Sequence, residues 1–451
     1  MSFLTMRQDC GYRRDYLWLP KSKTPNVGGL KLALTFPVTG EAPISAWSET
    51  AAHLVVPRNF LPFSSWGNLS YPVHDVTPRD FPPVSILART SLSGPRQTLG
   101  WQAMVDYGDG VLSLQPGQGK TVVALHAWTT TRVPCIVVVH NQNLAYQWRD
   151  RAVEHTRLSN DDIGWIQGDR WDWEKPLVIA SMQTLVSRFD AIPEEMRRHF
   201  GAAIFDEVHH LGAPEFNKTA GLFYGIRWGL SATHEREDGL SHLFKYHIGP
   251  VLFESGENDV VPEAFFKKTG VTVPLDELSR IRDKTGEINN AKLYGWLARH
   301  PGRNDMICSV IAECLSEGRK VLVLSETVDH VDLLHGRFPG SGCITGQSKE
   351  KGEERQKILY GHDLVFATMR LAQEGLDRKD LDTLVVVTPL ASESRFRQIL
   401  GRIQRASAGK QQAMAIILED EKIKRCKDMI RKLKNHLAGL QYPWHNVENA
   451  A

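Results

Sequence analysis

Gly117-Gln118-Gly119-Lys120-Thr121 contains the residue types needed to hold a triphosphate. The run follows the apolar stretch Val111-Leu112-Ser113-Leu114 and opens the helical stretch Val122 to Thr130. That strand–loop–helix context is what makes a GKT sequence a phosphate loop. Glycines let backbone N–H groups face phosphates, and a helix N-terminus adds a favourable dipole. Lys120 would pair with the β- and γ-phosphates of ATP, and the Thr121 hydroxyl would bind Mg²⁺. Pro116, Gly117, Gln118 and Gly119 complete the expected ATP-binding loop. The pattern GxxxxGK[ST] departs at its first position, where Leu114 stands in place of glycine.

Phe205-Asp206-Glu207-Val208-His209 ends the apolar run Ala202 to Phe205. A buried strand presents its last residues at the carboxyl edge of its sheet, where ligands bind in α/β folds. Asp206 would hold Mg²⁺ through water. Glu207 would orient and deprotonate the attacking water. His209 would link the ATP site to other parts of the core, and His210 is expected to be structural. An isolated acidic strand end also fits a merely solvated loop; its place after a GKT loop favours hydrolysis.

Both motifs need parallel strands to position them. Cys135 to Val139, Leu177 to Ala180 and Ala202 to Phe205 are short and apolar throughout, as strands buried on both faces are. The rhythm recurs in Lys320 to Leu324, Asp363 to Ala367 and Leu384 to Val387. Two consecutive α/β domains are the simplest reading. We expect an accessory domain over 1–83, a first ATPase domain over 84–256, a connector over 257–304, a second domain over 305–425 and a helical tail over 426–451. The accessory region carries β-type runs, Leu30 to Phe36 and His53 to Val56, broken by prolines. Lys422 to Lys434 reads as a basic amphipathic helix, either a solvated surface helix or a binding arm.

Composition bounds the function classes. The chain has 451 residues, 42% hydrophobic and 24% charged, as soluble globular proteins do. Its net charge of +2 excludes a polybasic coat, so any nucleic-acid footprint must be a local groove. The six cysteines are scattered without CxxC spacing, which disfavours a zinc site or disulfide framework and fits a reducing compartment. No signal peptide or membrane-spanning run is evident, and a cytosolic protein of a bacterial or phage-infected cell is expected.

From about Ser91 to Gly409 the sequence resembles the superfamily 2 helicases. Gln97 sits where that family reads adenine, although Gly94 replaces the usual arginine three residues earlier. Asn143-Leu144-Ala145-Tyr146-Gln147-Trp148 and Ala180-Ser181-Met182-Gln183-Thr184-Leu185 resemble its strand-contacting motifs, implying contacts from Gln147, Ser181, Gln183 and Thr184. Ser231-Ala232-Thr233 resembles its SAT coupling motif. Thr368 and the Glu374-Gly375-Leu376-Asp377 run resemble a segment touching both the strand and ATP, with Gly375 and Asp377 on the nucleotide. Gln398-Ile399-Leu400-Gly401-Arg402-Ile403-Gln404-Arg405 matches QxxGRxxR. On a helix, Gln398, Arg402 and Arg405 would share one face and could offer two guanidinium groups to a γ-phosphate.

Within the superfamily, Leu230 to Gly239 resembles the XPB and phage UvsW-like group. Arg236-Glu237-Asp238 coincides with that group's RED element, placing Arg236 near duplex opening. The resemblance implies an α/β chain of two tandem RecA-like domains with parallel sheets, plus the small β-rich N-terminal domain. It implies ATP and Mg²⁺ as cofactors and DNA, bound without sequence preference, as partner. The expected function is a DNA helicase, with UvsW-like branched-DNA remodelling one possible task. A double-strand translocase, an RNA helicase and an ATP-switched clamp stay open as alternatives. The tryptophans of the N-terminal region could stack on bases or fill a core.

Overall fold

A computed structural model of the chain describes residues 7–37, 42–208, 219–231, 241–256, 260–348, 353–374, 376, 378–404, 407 and 409–447. The chain divides into two compact units, Met1–Gly256 and Glu257–Ala451.

In the first unit an N-terminal sheet is formed by β1 (Gly11–Arg13), β2 (Tyr16–Pro20), β5 (Ser48–Glu49), β6 (His53–Pro57) and β7 (Val73–Asp75), in the order β5-β6-β2-β1-β7. Two short strands, β3 (Thr35–Phe36) and β4 (Ile44–Ser45), pair separately. The β-type run expected over Leu30 to Phe36 is largely helical, because α1 spans Val27–Ala33. Asn26 caps that helix by accepting from Gly29 N. The local cap outweighs the apolar alternation, and the sheet gains nothing from Leu32, which is 77% exposed.

The main sheet of this unit has eight strands, ordered β11-β10-β12-β9-β13-β14-β8-β15. They are β8 (Gly110–Ser113), β9 (Cys135–Val139), β10 (Ile163–Gln167), β11 (Arg170–Trp171), β12 (Leu177–Ser181), β13 (Ala202–Phe205), β14 (Ile226–Ser231) and β15 (Val251–Glu254). All pairings are parallel except β10 with β11. Side chains alternate between faces. Cys135, Val137 and Val139 join one core with α3 (Lys120–Thr131) and α4 (Gln142–His155), while Ile136 and Val138 join the other. Apolar runs without polar alternation therefore become strands covered on both sides.

The N-terminal sheet is fastened to the main sheet by buried arginines. Asp109 accepts from Arg13 Nη2 at 2.7 Å, from Arg58 Nη2 at 2.7 Å, from Asn59 Nδ2 at 3.1 Å and from Arg227 N at 2.9 Å. Arg58 is 1% exposed and also donates to the Tyr224 and Gly225 carbonyls. Arg227 returns the tie by donating to the Asp15 carbonyl. Burial alone would raise the Asp109 carboxyl, but Arg58, then Arg13 and Arg227, hold it below its ordinary range. Trp18 is buried in this module, and Trp47 and Trp66 pack on its core.

The second unit has a seven-stranded parallel sheet, ordered β18-β19-β17-β20-β21-β16-β22. Its strands are β16 (Glu263–Lys268), β17 (Val321–Ser325), β18 (Gly342–Ile344), β19 (Leu364–Thr368), β20 (Thr383–Val386), β21 (Met414–Glu419) and β22 (Trp444–Val447). The stretch expected as a connector supplies β16, the helices Leu278–Ile281 and Asn290–Ala298, and the start of the helix Pro301–Ser316. The tail supplies β22, which pairs with β16. The basic helix is Lys424–Gly439, and it buries Cys426, Met429, Ile430, Leu433 and Leu437 on one face. Among the described residues no helix is long and apolar enough to cross a membrane.

Candidate active site

The phosphate loop leaves the sheet at the end of β8. Leu114 N donates to the Ser231 carbonyl at 3.1 Å, which keeps the chain on the sheet for one residue more. The Leu114 side chain is fully buried in the core, so this position is strand rather than turn and has no need of glycine. The loop then closes on itself: Gln118 N donates to the Gln115 carbonyl, and Gln115 N to Gln118 Oε1. Gly117 and Gly119 have φ of 88° and 85°, a region that glycine enters without strain. At Gly119 a Cβ would also collide with the Gln97 amide. Lys120 and Thr121 occupy the first turn of α3, which holds no acidic residue to compete with a phosphate.

Gln97 lies on α2 (Pro95–Tyr107), not free in solvent. Its Oε1 accepts from Ser93 N and its Nε2 donates to the Gln118 carbonyl at 3.0 Å. The residue expected to read adenine is therefore fixed against the phosphate loop.

The acidic pair follows β13. Asp206 is 7% exposed, and its N–H donates to the Val138 carbonyl, keeping it in line with the sheet. Its Oδ1 accepts from Glu207 N at 2.9 Å and its Oδ2 from Trp148 Nε1 at 2.8 Å. Burial, then the neighbouring Glu207 charge, pushes the Asp206 carboxyl up to about 6, while Trp148 and Lys120 pull the other way. Glu207 adopts φ 48°, a left-handed conformation that non-glycine residues hold only at a cost. That backbone brings Glu207 Oε1 to 3.6 Å from Lys120 Nζ, which also donates to the Leu114 carbonyl.

These residues fit ATP with magnesium. Two adjacent carboxylates, one desolvated enough to resist ionisation, gain from a divalent cation beside them. Magnesium sites use one or two carboxylates with substrate phosphates. Asp206 and Thr121 would hold the ion, and Gly117 to Lys120 would hold the phosphates.

β14 lies between β13 and β8, so Ser231 ends a strand flanked by both motifs. Ser231 is fully buried. The remaining coupling residues, His209, Ala232 and Thr233, lie outside the described residues, as does Arg236.

The motifs expected to contact a nucleic-acid strand lie on α4 and across the junction of β12 with α5 (Met182–Ser187). Gln147 is partly exposed on α4. Ser181 Oγ donates to Gln183 Oε1, and Gln183 Nε2 donates to the His140 carbonyl at 2.7 Å, joining the start of α5 to the start of α4. Thr184 is 7% exposed, and its hydroxyl accepts from Gly168 N, tying down the β10–β11 hairpin.

In the second unit Thr368 closes β19 and is likewise buried. The helix expected through Arg405 stops earlier. It spans Glu393–Leu400, with Gly401 as its C-cap. Tighter turns follow, Arg402 N to the Ile399 carbonyl and Ile403 N to the Leu400 carbonyl. Gly401 keeps a right-handed helical backbone and carries the chain from the α-helix into these turns. Gln398 is 8% exposed, and Arg402 Nη1 donates to the Leu376 carbonyl at 2.9 Å. Gly375, Asp377 and Arg405 lie outside the described residues.

Sequence reasoning assigned no role to Trp148 or Asp109. For Trp148 a signal existed, since a buried indole N–H requires an acceptor. For Asp109 the partners lie up to 118 residues away and no spacing pattern reveals them.

A phosphate loop and an acidic pair at the ends of two strands that flank β14 in one mostly parallel sheet, with a second parallel sheet in the chain, define a two-domain nucleoside triphosphatase of RecA type. Residues 100–236 match the family model for the type III restriction enzyme res subunit, and residues 302–407 match the helicase conserved C-terminal domain. The chain belongs to the superfamily 2 helicases and is similar to their XPB group. It is 27% identical to the "Putative ATP-dependent RNA helicase L396" of Acanthamoeba polyphaga mimivirus, over 78% of this chain and 67% of that protein. It is 28% identical to the "DNA 3'-5' helicase XPB" of Kineococcus radiotolerans, over 66% of this chain and 54% of that protein. It is 26% identical to the "DNA 3'-5' translocase XPB2" of Sulfurisphaera tokodaii, over 66% of this chain and 74% of that protein. The chain thus spans about half the length of the Kineococcus relative. The solved structure of S. cerevisiae Dbp5 bound to RNA and ADP BeF3 shares the fold, with a TM-score of 0.54 and 13% identity over 78% of this chain and 89% of that one.

Proposed function

We propose that the chain hydrolyses ATP and uses the cycle to move along DNA, separating or remodelling its strands. The observation that carries this reading is the convergence of Lys120, Asp206 and Glu207, with Lys120 Nζ 3.6 Å from Glu207 Oε1. The phosphate loop binds the triphosphate through its backbone amides and Lys120. Thr121 and Asp206 would hold magnesium, which would supply charge neutralisation on the phosphates. Glu207 accepts the proton of the attacking water and, held at its strained backbone, keeps its carboxylate beside Lys120. Arg402 and Arg405 are assigned to the same reaction by the QxxGRxxR resemblance.

Gln147, Ser181 and Gln183 would position the nucleic-acid backbone, with Thr184 supporting them from below. Backbone contacts carry no sequence information, so binding is sequence-independent and weakens steeply with salt. DNA is favoured as the track by the similarity to proteins named as DNA helicases and by the RED-type sequence after Ser231. Movement along duplex without strand separation is the second reading, favoured by the similarity to a protein named as a translocase. ATPase stimulation by single-stranded, duplex and forked DNA and by RNA, with strand displacement followed on the fork, tests both. Displacement supports the helicase, stimulation by duplex alone supports the translocase, and stimulation by RNA alone would overturn the DNA assignment.

A further inference from the structure

We propose that Trp148 is a positioning residue that ties the strand-contacting helix α4 to the metal-holding carboxylate Asp206. The inference rests on the reading that Asp206 holds magnesium and that α4 meets the nucleic acid.

Successive helix residues point about 100° apart. Gln147 is partly exposed, whereas Trp148 is 1% exposed and faces the core. Every buried indole N–H needs an acceptor, and the identity of that acceptor distinguishes Trp148. The other two fully buried tryptophans, Trp128 and Trp228, donate to the backbone carbonyls of Val133 and Gly108. Those acceptors move only if the chain moves. Trp148 instead donates at 2.8 Å to Oδ2 of Asp206, a side chain whose rotation sets where a cation can be held. The Glu207 N–H engages Oδ1, so the two donors together fix the orientation of the carboxylate.

The mechanical connection continues at the N-terminus of α4. Asn141 caps the helix by accepting from Leu144 N at 2.9 Å. The carbonyl of the preceding residue, His140, accepts from Gln183 of the second strand-contacting motif. A displacement of α5 or α4 by a bound strand therefore reaches the indole through one hydrogen-bonded, capped helix. A path of contacts becomes coupling only when perturbing it changes both sites.

The test compares Trp148→Phe, which keeps an aromatic ring and removes the N–H, with Trp128→Phe. Trp128 is fully buried in the same core, and its indole N–H donates to the Val133 carbonyl. ATP turnover is titrated with Mg²⁺, with and without forked DNA, alongside thermal unfolding. For Trp148→Phe the half-saturating Mg²⁺ concentration should rise roughly tenfold, as for loss of a hydrogen bond supporting a metal ligand. Its stimulation by DNA should also fall. Trp128→Phe should unfold at lower temperature yet keep the wild-type Mg²⁺ response and stimulation. A Trp148→Phe enzyme with the wild-type Mg²⁺ response and stimulation overturns the proposal, as does a Trp128→Phe enzyme with the same shifts. Failure of DNA to stimulate the wild type would instead remove the motor reading, and the Mg²⁺ titration would still decide whether the indole supports the ion.

Discussion

Lys120 Nζ stands 3.6 Å from Glu207 Oε1, and Glu207 reaches it from a left-handed backbone with φ 48°. The residue after the strand end is thus turned toward the phosphate loop. Glu207→Gln keeps the size of the side chain and removes its basicity. Hydrolysis should fall ~10²–10⁴-fold, the range for loss of a general base. Nucleotide binding should persist, because Lys120 and the loop amides are untouched. Single-turnover hydrolysis and equilibrium binding of a fluorescent ATP analogue measure the two effects separately. Equal turnover in the variant would remove Glu207 from the chemistry.

The fastening of the N-terminal sheet predicts a stability effect far from the site. Asp109→Ala leaves Arg58, 1% exposed, without its carboxylate. Removing one member of a buried ion pair costs about 3–5 kcal/mol. Urea denaturation of the variant should show a loss of that size in the first unit. A loss below ~1 kcal/mol would mean that the carbonyls of Tyr224 and Gly225 suffice for Arg58.

A second stability prediction concerns acid. His330 is 2% exposed in the second unit, with Nε2 3.0 Å from Asn304 Oδ1 and Nδ1 3.0 Å from Ser325 Oγ. Burial, then the Arg303 charge, pushes its imidazole down to about 3. The unfolded histidine binds a proton below about 6.5. Between that pH and about 3 the unfolded state holds the extra proton, so stability falls as pH falls. His330→Gln should flatten the slope by ~1.4 kcal/mol per pH unit, one proton's worth. Denaturation midpoints from pH 7 to 4 measure it, and an unchanged slope would show that the imidazole ionises in the folded protein.

Much of the fold was legible because the signals were local. Cys135 to Val139 and Val321 to Leu324 are apolar throughout, and both are buried parallel strands. The phosphate loop and acidic pair were legible because glycine, lysine and carboxylate are each needed at a strand end. Three features were hidden for physical reasons. The helix at Leu30 depends on a cap from Asn26, which competes with an apolar pattern that reads equally well as strand. The role of β16 depends on pairing with β21, near the other end of the unit. Thr184 has the right chemistry for a phosphate contact, but only its neighbours show that its hydroxyl serves Gly168 N. Leu114 was visible as a departure from the pattern, and its burial explains it.

Coupling of ATP hydrolysis at Lys120, Asp206 and Glu207 to movement on DNA is tested most directly by one steady-state measurement. ATP turnover by the wild-type chain is recorded with and without forked DNA, with Glu207→Gln as the reference for chemistry. Turnover should rise on adding the fork and be abolished in the variant. Turnover that ignores every nucleic acid, or that survives in Glu207→Gln, would contradict this coupling.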